Sequence, residues 1–490
     1  MSEPIAAIAT GQSRCAIGVI RVSGDGCFAV CDKIFRADSG KAFSDLPPRS
    51  MSLGRLSDKS GAVIDRALAV RFPAPHSYTG EDCAEFHCHG SPVVLREALL
   101  SLFDAGARQA TAGEFTKRAF LNGQLDLTEA EAVIDLIDAE TAAAARNAAA
   151  QLDGALRRVL EPIQEALLDV AGRFYAVVDY PDEDIEDTRP EEIAAALSRS
   201  GAALDNLLAA CRRGRVLKSG VKTAVIGRPN AGKSSLFNAL AGFDRVIVTD
   251  IPGTTRDTVE EAVVCGGVLL RLTDTAGLRD ASDAVERLGV ERSRKAVADA
   301  DLIFVVTDGS ASPTDEDADA VRLARESGKP WVLVENKRDL PRNASFDAWA
   351  DAVTAEASAQ TGDAPSAVRV SAKTGEGLEE LERVVGELFP MGDASPGALL
   401  TDQRQEDAAR RAREALSRAE SALQSGFTPD AVLTDVEDAL DAVGELTGRS
   451  AKEELVSQIF SRFCVGKYSP ALTRRCPLER WRDFAPSVTA

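Results

Sequence analysis

Short apolar runs broken by Gly and Pro fill the first part of the chain. Ile17-Gly18-Val19-Ile20-Arg21-Val22 and Ala67-Leu68-Ala69-Val70-Arg71-Phe72 predict strands, and Val93 to Leu102 predicts a helix. The pattern changes at Thr128. Thr128 and Glu131, three residues later, form a candidate capping box, and Ala130, Val133, Ile134 and Ile137 then recur at helical spacing. Leu152, Leu156, Val159 and Leu160 continue that spacing, and the helical stretch runs to about Leu217 with the acidic loop Asp179–Asp184 inside it. From Val221 apolar runs alternate with amphipathic segments: Thr223–Ile226, Leu269–Leu272, Leu302–Val306, Trp331–Val334 and Val368–Val370. That alternation predicts a mostly parallel sheet covered by helices. After the link Pro390–Gly397 helices return, with Val436, Leu440, Val443 and Leu446 on one face. Two helical blocks around an α/β block predict a helical domain interrupted by an insertion.

Composition narrows the class. The 490 residues suggest about three domains, and 44% hydrophobic with 27% charged residues is ordinary for globular chains. No apolar run reaches the roughly 18 residues needed to span a bilayer, and no secretory pattern opens the chain. Nine scattered cysteines do not form a disulfide framework. A cytoplasmic protein with no membrane partner is expected. With 57 Lys and Arg against 77 Asp and Glu, the net charge of -20 excludes gripping nucleic acid by overall charge, so any such contact is local or supplied by a partner.

The most specific chemistry follows the strand at Thr223–Ile226. Gly227-Arg228-Pro229-Asn230-Ala231-Gly232-Lys233-Ser234 fits G-x-x-x-x-G-K-[ST], a glycine loop whose N–H groups close around phosphates. Lys233 reaches the outer phosphates, Ser234 offers a hydroxyl to Mg²⁺, and Ser235 follows it. Asp274-Thr275-Ala276-Gly277 ends a strand where a carboxylate holds the Mg²⁺ shell and a glycine N–H meets the γ-phosphate. Asn336-Lys337-Arg338-Asp339 ends another strand, where Asp339 accepts from both guanine N–H groups and so selects GTP. Ser371-Ala372-Lys373 backs the base, and Thr249-Asp250-Ile251-Pro252-Gly253-Thr254-Thr255 leads into a switch threonine. Each piece is weak alone; the ordered set points to GTP. Leu278 stands where Ras-like proteins carry a water-orienting Gln, and leucine neither orients nor deprotonates water. Either hydrolysis is slow, or Asn230 with a monovalent cation and Glu286 with the attacking water supply what is missing.

The loop containing Asn230, the Gly253-Thr254-Thr255-Arg256-Asp257 motif, Asp274–Arg279 and Cys464-Val465-Gly466-Lys467 resemble the MnmE/TrmE tRNA-modification GTPases. Gly18–Gly24, Thr79-Gly80-Glu81-Asp82 and Gly113–Asn122 match as well, so the resemblance covers about residues 1 to 467. It implies an N-terminal α+β folate-binding-like and dimerisation domain (1–120), a helical domain in two parts (121–217 and 389–467) and an inserted Ras-like GTPase domain (218–388). It further implies Mg²⁺ at Ser234 and Thr255, and K⁺ held by Asn230 and backbone oxygens at Thr249, Ile251 and Thr254. Glu286 matches the water-orienting glutamate. The implied reaction adds an aminomethyl or carboxymethylaminomethyl group to carbon 5 of the tRNA wobble uridine. The implied partners are a second copy of the chain and an FAD-dependent MnmG-type protein, in a heterotetramer. The one-carbon donor implied is a formyl- or methylene-tetrahydrofolate, with Arg21, Glu81, Gln124 and Lys467 as its positions and a thiol role for Cys464.

Two departures stand out. Gln124 replaces a commonly basic residue and gives up one charge attraction, while residues 468–490 extend past the usual final lysine and carry Arg474, Arg475, Arg480 and Arg482. His76, His87 and His89 lie with Cys83 and Cys88 in one stretch, but strand alternation puts His87 and His89 opposite Cys88, which speaks against zinc. From another functional class, a ribosome-assembly switch GTPase that gates RNA binding is the alternative. A folate-dependent transferase with a purely regulatory GTPase domain is a third.

Overall fold

The computed structural model describes residues 2–11, 13–179, 190–243, 260–274, 286–361, 366–390, 397–450, 456, 459–461 and 463. Their contacts divide the chain into two compact units, one from residues 1–134 and 444–490 and the other from residues 135–443.

The first unit carries β1 (Ile5–Ile8), β2 (Ile17–Ser23), α1 (Cys27–Ile34), β3 (Phe35–Ala37), β4 (Ser52–Ser57), β5 (Val63–Phe72), β6 (Cys83–His89), α2 (Pro92–Ala105), β7 (Arg108–Gln109), α3 (Glu114–Leu121) and the start of α4 (Leu127–Ile137). Its described strands form a seven-stranded sheet in the order β3-β4-β5-β6-β2-β1-β7, antiparallel throughout except for β1 beside β7. Alternation along β2 and β6 sends Ile20, Val22, Ala84 and Phe86 into a core shared with Phe35, Phe43, Leu95 and Leu102. The opposite side of β6 carries Glu85, His87 and His89.

The start of α4 differs from the expectation built on Thr128. Asp126 is the capping residue: its Oδ1 accepts from Glu129 N–H at 2.8 Å and from Thr128 Oγ at 2.7 Å, and Glu129 Oε2 accepts from Asp126 N–H at 2.8 Å. The box therefore sits two residues earlier, because the carboxylate of Asp126 is a stronger acceptor for the orphan N–H groups than a hydroxyl. Thr128 itself is buried inside the first turn.

The second unit contains α5 (Ala142–Leu152), α6 (Ala155–Asp179), α7 (Pro190–Ser219), then β8 (Val221–Ile226), α8 (Lys233–Phe243), β9 (Glu260–Cys265), β10 (Val268–Asp274), α9 (Glu286–Asp299), β11 (Leu302–Asp308), α10 (Asp315–Glu326), β12 (Trp331–Asn336), α11 (Ala344–Thr361), β13 (Ser366–Arg369), α12 (Leu378–Leu388), α13 (Gln403–Gln424) and most of α14 (Pro429–Thr447). The described strands pair as β13-β12-β11-β8-β10-β9. All neighbours are parallel except β9, which sequence patterning did not predict. The signal was present: Gly266 and Gly267, at φ 59° and 77°, make the two-residue turn that folds β9 back onto β10. Apolar residues pack on both faces of the sheet, as its all-buried β11 and β12 require.

Helices α7 and α13 pack along each other on either side of the α/β block in sequence. Where the chain leaves and re-enters that block it is clasped. A Cβ on Gly214 would overlap the Leu400 carbonyl, and Lys218 Nζ lies 2.8 Å from Asp135 and 3.4 Å from Asp402. Arg271 of β10 donates to Ser219 O at 2.7 Å and to Glu140 at 2.8 Å. Among the described residues, no helix is long and apolar enough to cross a membrane.

Candidate functional site

The nucleotide motifs that can be described meet at the carboxyl ends of the parallel strands, where open α/β sheets bind ligands. Gly227 leaves β8 at φ 141°, and a Cβ there would overlap the Val306 carbonyl; Gly232 sits at φ 99°, and a Cβ there would overlap Asn336 Nδ2. Both positions are therefore closed to any side chain. Asn230 takes the left-handed conformation at φ 63°, which asparagine tolerates. Ala231 is fully buried, and Lys233 Nζ donates to the carbonyls of Gly227 and Arg228, each at 2.8 Å, so its ammonium lies over the loop. Ser234 and Ser235 follow on the first turn of α8.

Asn336, almost wholly buried, joins the loops. Its Nδ2 donates to Ala231 O at 3.0 Å, and its Oδ1 accepts from Ala372 N–H at 3.0 Å. Ser371 Oγ donates to Asp339 Oδ1 at 2.7 Å, which fixes the carboxylate assigned to guanine. Lys337, at φ 65°, reaches Asp308 Oδ2 at 2.6 Å. Burial pushes the Asp308 carboxyl up, but the Lys337 and Ser310 hydrogen bonds bring it net below the usual carboxylate value. Lys373 follows Ala372 in the same loop. Asp274 ends β10 in register with Val225 of β8, so its backbone stands beside the phosphate loop. Glu286 is the first residue of α9. Thr249, Asp250, Ile251, Pro252, Gly253, Thr254, Thr255, Thr275, Ala276, Gly277, Cys464 and Lys467 lie outside the described residues.

In the first unit, Arg21 and Glu81 do not pair with each other. Arg21 Nε donates to Glu85 Oε1 at 2.9 Å, and its guanidinium lies 4.8 Å from the Tyr78 ring centre and 5.8 Å from that of Phe115. Glu81 accepts from Ser23 Oγ at 3.1 Å and from Arg118 Nη1 at 3.0 Å. Gln124 packs on Gly80, next to Glu81 in sequence, so the stretch Tyr78–Glu81 touches the surroundings of all three positions. Sequence reasoning missed Glu85, Tyr78 and Arg118. Glu85 lies in register with Arg21 across β2 and β6, a pairing that only the strand order of the fold reveals. Behind them Glu114 takes a fork of hydrogen bonds from Arg108 at 2.6 and 2.8 Å, and accepts from Thr111 N–H at 2.8 Å and Arg118 at 2.9 Å. Burial raises its carboxyl, but these donors hold it down at about 2. His89 is taken by Asp65 at 2.7 Å and His87 lies 3.4 Å from Glu85. Among the described residues no group of three or more His, Cys, Asp or Glu is placed to hold a metal ion.

Comparison with known proteins agrees with these motifs. The family model for the N-terminus of the GTP-binding protein TrmE matches residues 4–124, and that for the MnmE helical domain matches residues 127–464. The tRNA modification GTPase MnmE of Symbiobacterium thermophilum is 44% identical over 465 residues, spanning 95% of this chain and 99% of that protein. The chain belongs to the MnmE/TrmE family. The MnmE protein of Aquifex aeolicus is 40% identical over 468 residues, covering 95% of this chain and all of that one. Among solved structures the chain is similar to Aquifex aeolicus Era bound to GDP and AlF4⁻, at 25% identity over 40% of this chain and 66% of that one, with a TM-score of 0.27.

Proposed function

We propose that this chain hydrolyses GTP to drive modification of carbon 5 of the tRNA wobble uridine. Membership of the family makes it a GTPase of tRNA modification. The observation that carries the reading is the Asn336 bridge, which ties the phosphate loop to the loop behind the base at the carboxyl ends of the strands. Family matches on both the N-terminal and helical segments favour it over a ribosome-assembly switch.

The oxygen donors of Ser234 and Thr255 suit Mg²⁺, and Asn230 with backbone oxygens at Thr249, Ile251 and Thr254 suits K⁺. Bound there, these cations supply positive charge against the phosphates. Lys233 binds the outer phosphates and Asp339 selects guanine. Glu286 orients the water that Leu278 cannot. In the first unit Arg21, Glu81 and Gln124, with Lys467 and with Glu85 holding Arg21, take a reduced folate such as formyl- or methylene-tetrahydrofolate. Tyr78 offers a flat surface for its pterin, and Cys464 has a thiol role. Leu53 lies directly across from Leu68 on the sheet, both exposed, which supports burial of that face in a homodimer. An FAD-dependent MnmG-type protein completes a heterotetramer that acts on tRNA.

Steady-state GTP hydrolysis in KCl and in NaCl at equal ionic strength tests this, with Asn230→Ala and Glu286→Ala alongside. Potassium stimulation lost in both variants is expected. Equal slow rates in both salts would remove the cation-assisted mechanism.

A further inference from the structure

The nucleotide loops lean on a segment that carries none of their motifs. Residues 308–317 run from the end of β11 into α10. At one end Asp308 takes Lys337 of the base loop, and at the other Asp317 takes Arg228 of the phosphate loop. Arg228 Nε lies 3.3 Å from Asp317 Oδ2, and the Asp317 side chain is 1% exposed.

Asp317 also closes the capping box of α10: its Oδ2 accepts from Thr314 N–H at 3.0 Å and from Thr314 Oγ at 2.9 Å. A cap needs one carboxylate oxygen and tolerates solvent, and capping alone does not account for an acid buried against a guanidinium. The second oxygen, Oδ1, is buried with no hydrogen-bond partner among the described residues, and so is Arg228 Nε. The donor and the carboxylate thus sit together as an ion pair, Nε beside Oδ2, while Arg228 Nε and Asp317 Oδ1 each keep hydrogen-bonding capacity that a small shift of the loop could use. The Arg228 carbonyl, in turn, is one of the two that Lys233 grips.

Resting on the GTPase reading above, we propose that Asp317 is a positioning residue for the phosphate loop. It holds Arg228, and through the Arg228 peptide it sets where the Lys233 ammonium lies when phosphates enter. Removing its charge leaves the chemistry-bearing residues in place but lets the loop drift.

The test separates this role from capping. Asp317→Asn keeps an oxygen for Thr314 but drops the charge, whereas Thr314→Ala weakens the cap and leaves the ion pair. Binding of a fluorescent GDP and steady-state GTP hydrolysis are measured for both, with circular dichroism to follow folding. Asp317→Asn is expected to weaken GDP binding and raise KM by about tenfold, with a smaller change in kcat. Arg228→Ala matches it, the double variant is no worse than the weaker single one, and Arg228→Lys recovers part of the affinity. Thr314→Ala lowers the melting temperature and leaves GDP affinity unchanged. Wild-type affinity in Asp317→Asn, or an equal loss in Thr314→Ala, would overturn the proposal. If Asp317→Asn does not fold, Arg228→Ala, on a partly exposed side chain, carries the same readouts, and wild-type affinity there overturns it equally. Wild-type protein that fails to bind GDP would instead overturn the GTPase reading itself.

Discussion

Around the phosphate loop the recognition groups lie on the backbone of one short stretch, whereas around Arg21 they are the tips of side chains brought together from strands 64 positions apart. In the first region two glycines press against a carbonyl and an amide, leaving no room for a Cβ at either. In the second, charges hold charges: Arg21 with Glu85, Arg118 with Glu81 and Glu114, Arg108 with Glu114. Backbone sites are rigid and specified by which residues are permitted there. Side-chain networks are specified by partners, and removing one partner strands another buried charge.

The sharpest way to break this contrast is at the glycines. Gly232→Ala places a methyl on Asn336 Nδ2 at an unfavourable φ, and GDP titration should find nucleotide binding lost, at least a hundredfold, with the first unit still folded. Gly80→Ala in the other site meets Asn122 Cβ at 3.0 Å, a tight contact relieved by a shift of a few tenths of an ångström instead of an overlap at 2.0 Å, and adds the cost of a φ of 76°. That variant should stay folded and lose about 1 kcal/mol in denaturant titration. A Gly80→Ala protein as damaged as Gly232→Ala would erase the distinction.

Next in size are the charge partners. Glu85→Gln should weaken binding of a reduced folate by about tenfold, measured by calorimetry, while GTP hydrolysis by the same protein stays at the wild-type rate. Loss of both activities together would mean that Glu85 serves the fold and not the site.

The Glu114 network predicts a pH dependence. Its carboxyl is held at about 2 when folded against 4.5 as the ordinary value, so its contribution is complete above 4.5 and is lost as pH falls toward 2. Urea midpoints of wild-type protein should therefore fall across that window more steeply than those of Glu114→Gln, whose neutral side chain does not titrate. Parallel profiles would refute it.

Asp126→Ala is a small effect, equal in size to that of Gly80→Ala. Loss of the cap on α4 should cost about 1 kcal/mol in urea titration, and Thr128→Ala less. Equal costs would return the cap to Thr128.

How much of this was legible follows the same divide. Gly227, Asn230, Gly232, Asn336 and Asp339 could be read because each loop is contiguous and its spacing is fixed by the strand it ends. The runs at Leu302–Val306 and Trp331–Val334 proved to be buried strands, since both faces of the sheet are covered. Strand β9 was missed because it begins Glu260-Glu261, which reads as polar until the glycine pair behind it is taken as a turn. Arg21 and Glu81 were proposed through family resemblance, and their partners stayed hidden, because nothing local in a sequence says that a charge on β2 faces one on β6. Asp126 was overlooked because Thr128 and Glu131 fit the same box pattern two residues later.

The pairing of α7 with α13 has a consequence for the order in which the molecule is made. Asp205 meets Arg413 across 208 positions, so at about 5–20 residues per second the ribosome needs about 10–40 s to deliver the partner helix. Through that interval the α/β block has time to fold, while Leu197, Leu204, Leu207 and Cys211 on α7, all buried in the finished protein, are without α13. The nascent chain thus carries a sticky, half-built helical layer for longer than it takes to complete its enzyme core, and chaperone occupancy on ribosome-bound chains should peak before residue 403 emerges and fall after residue 424.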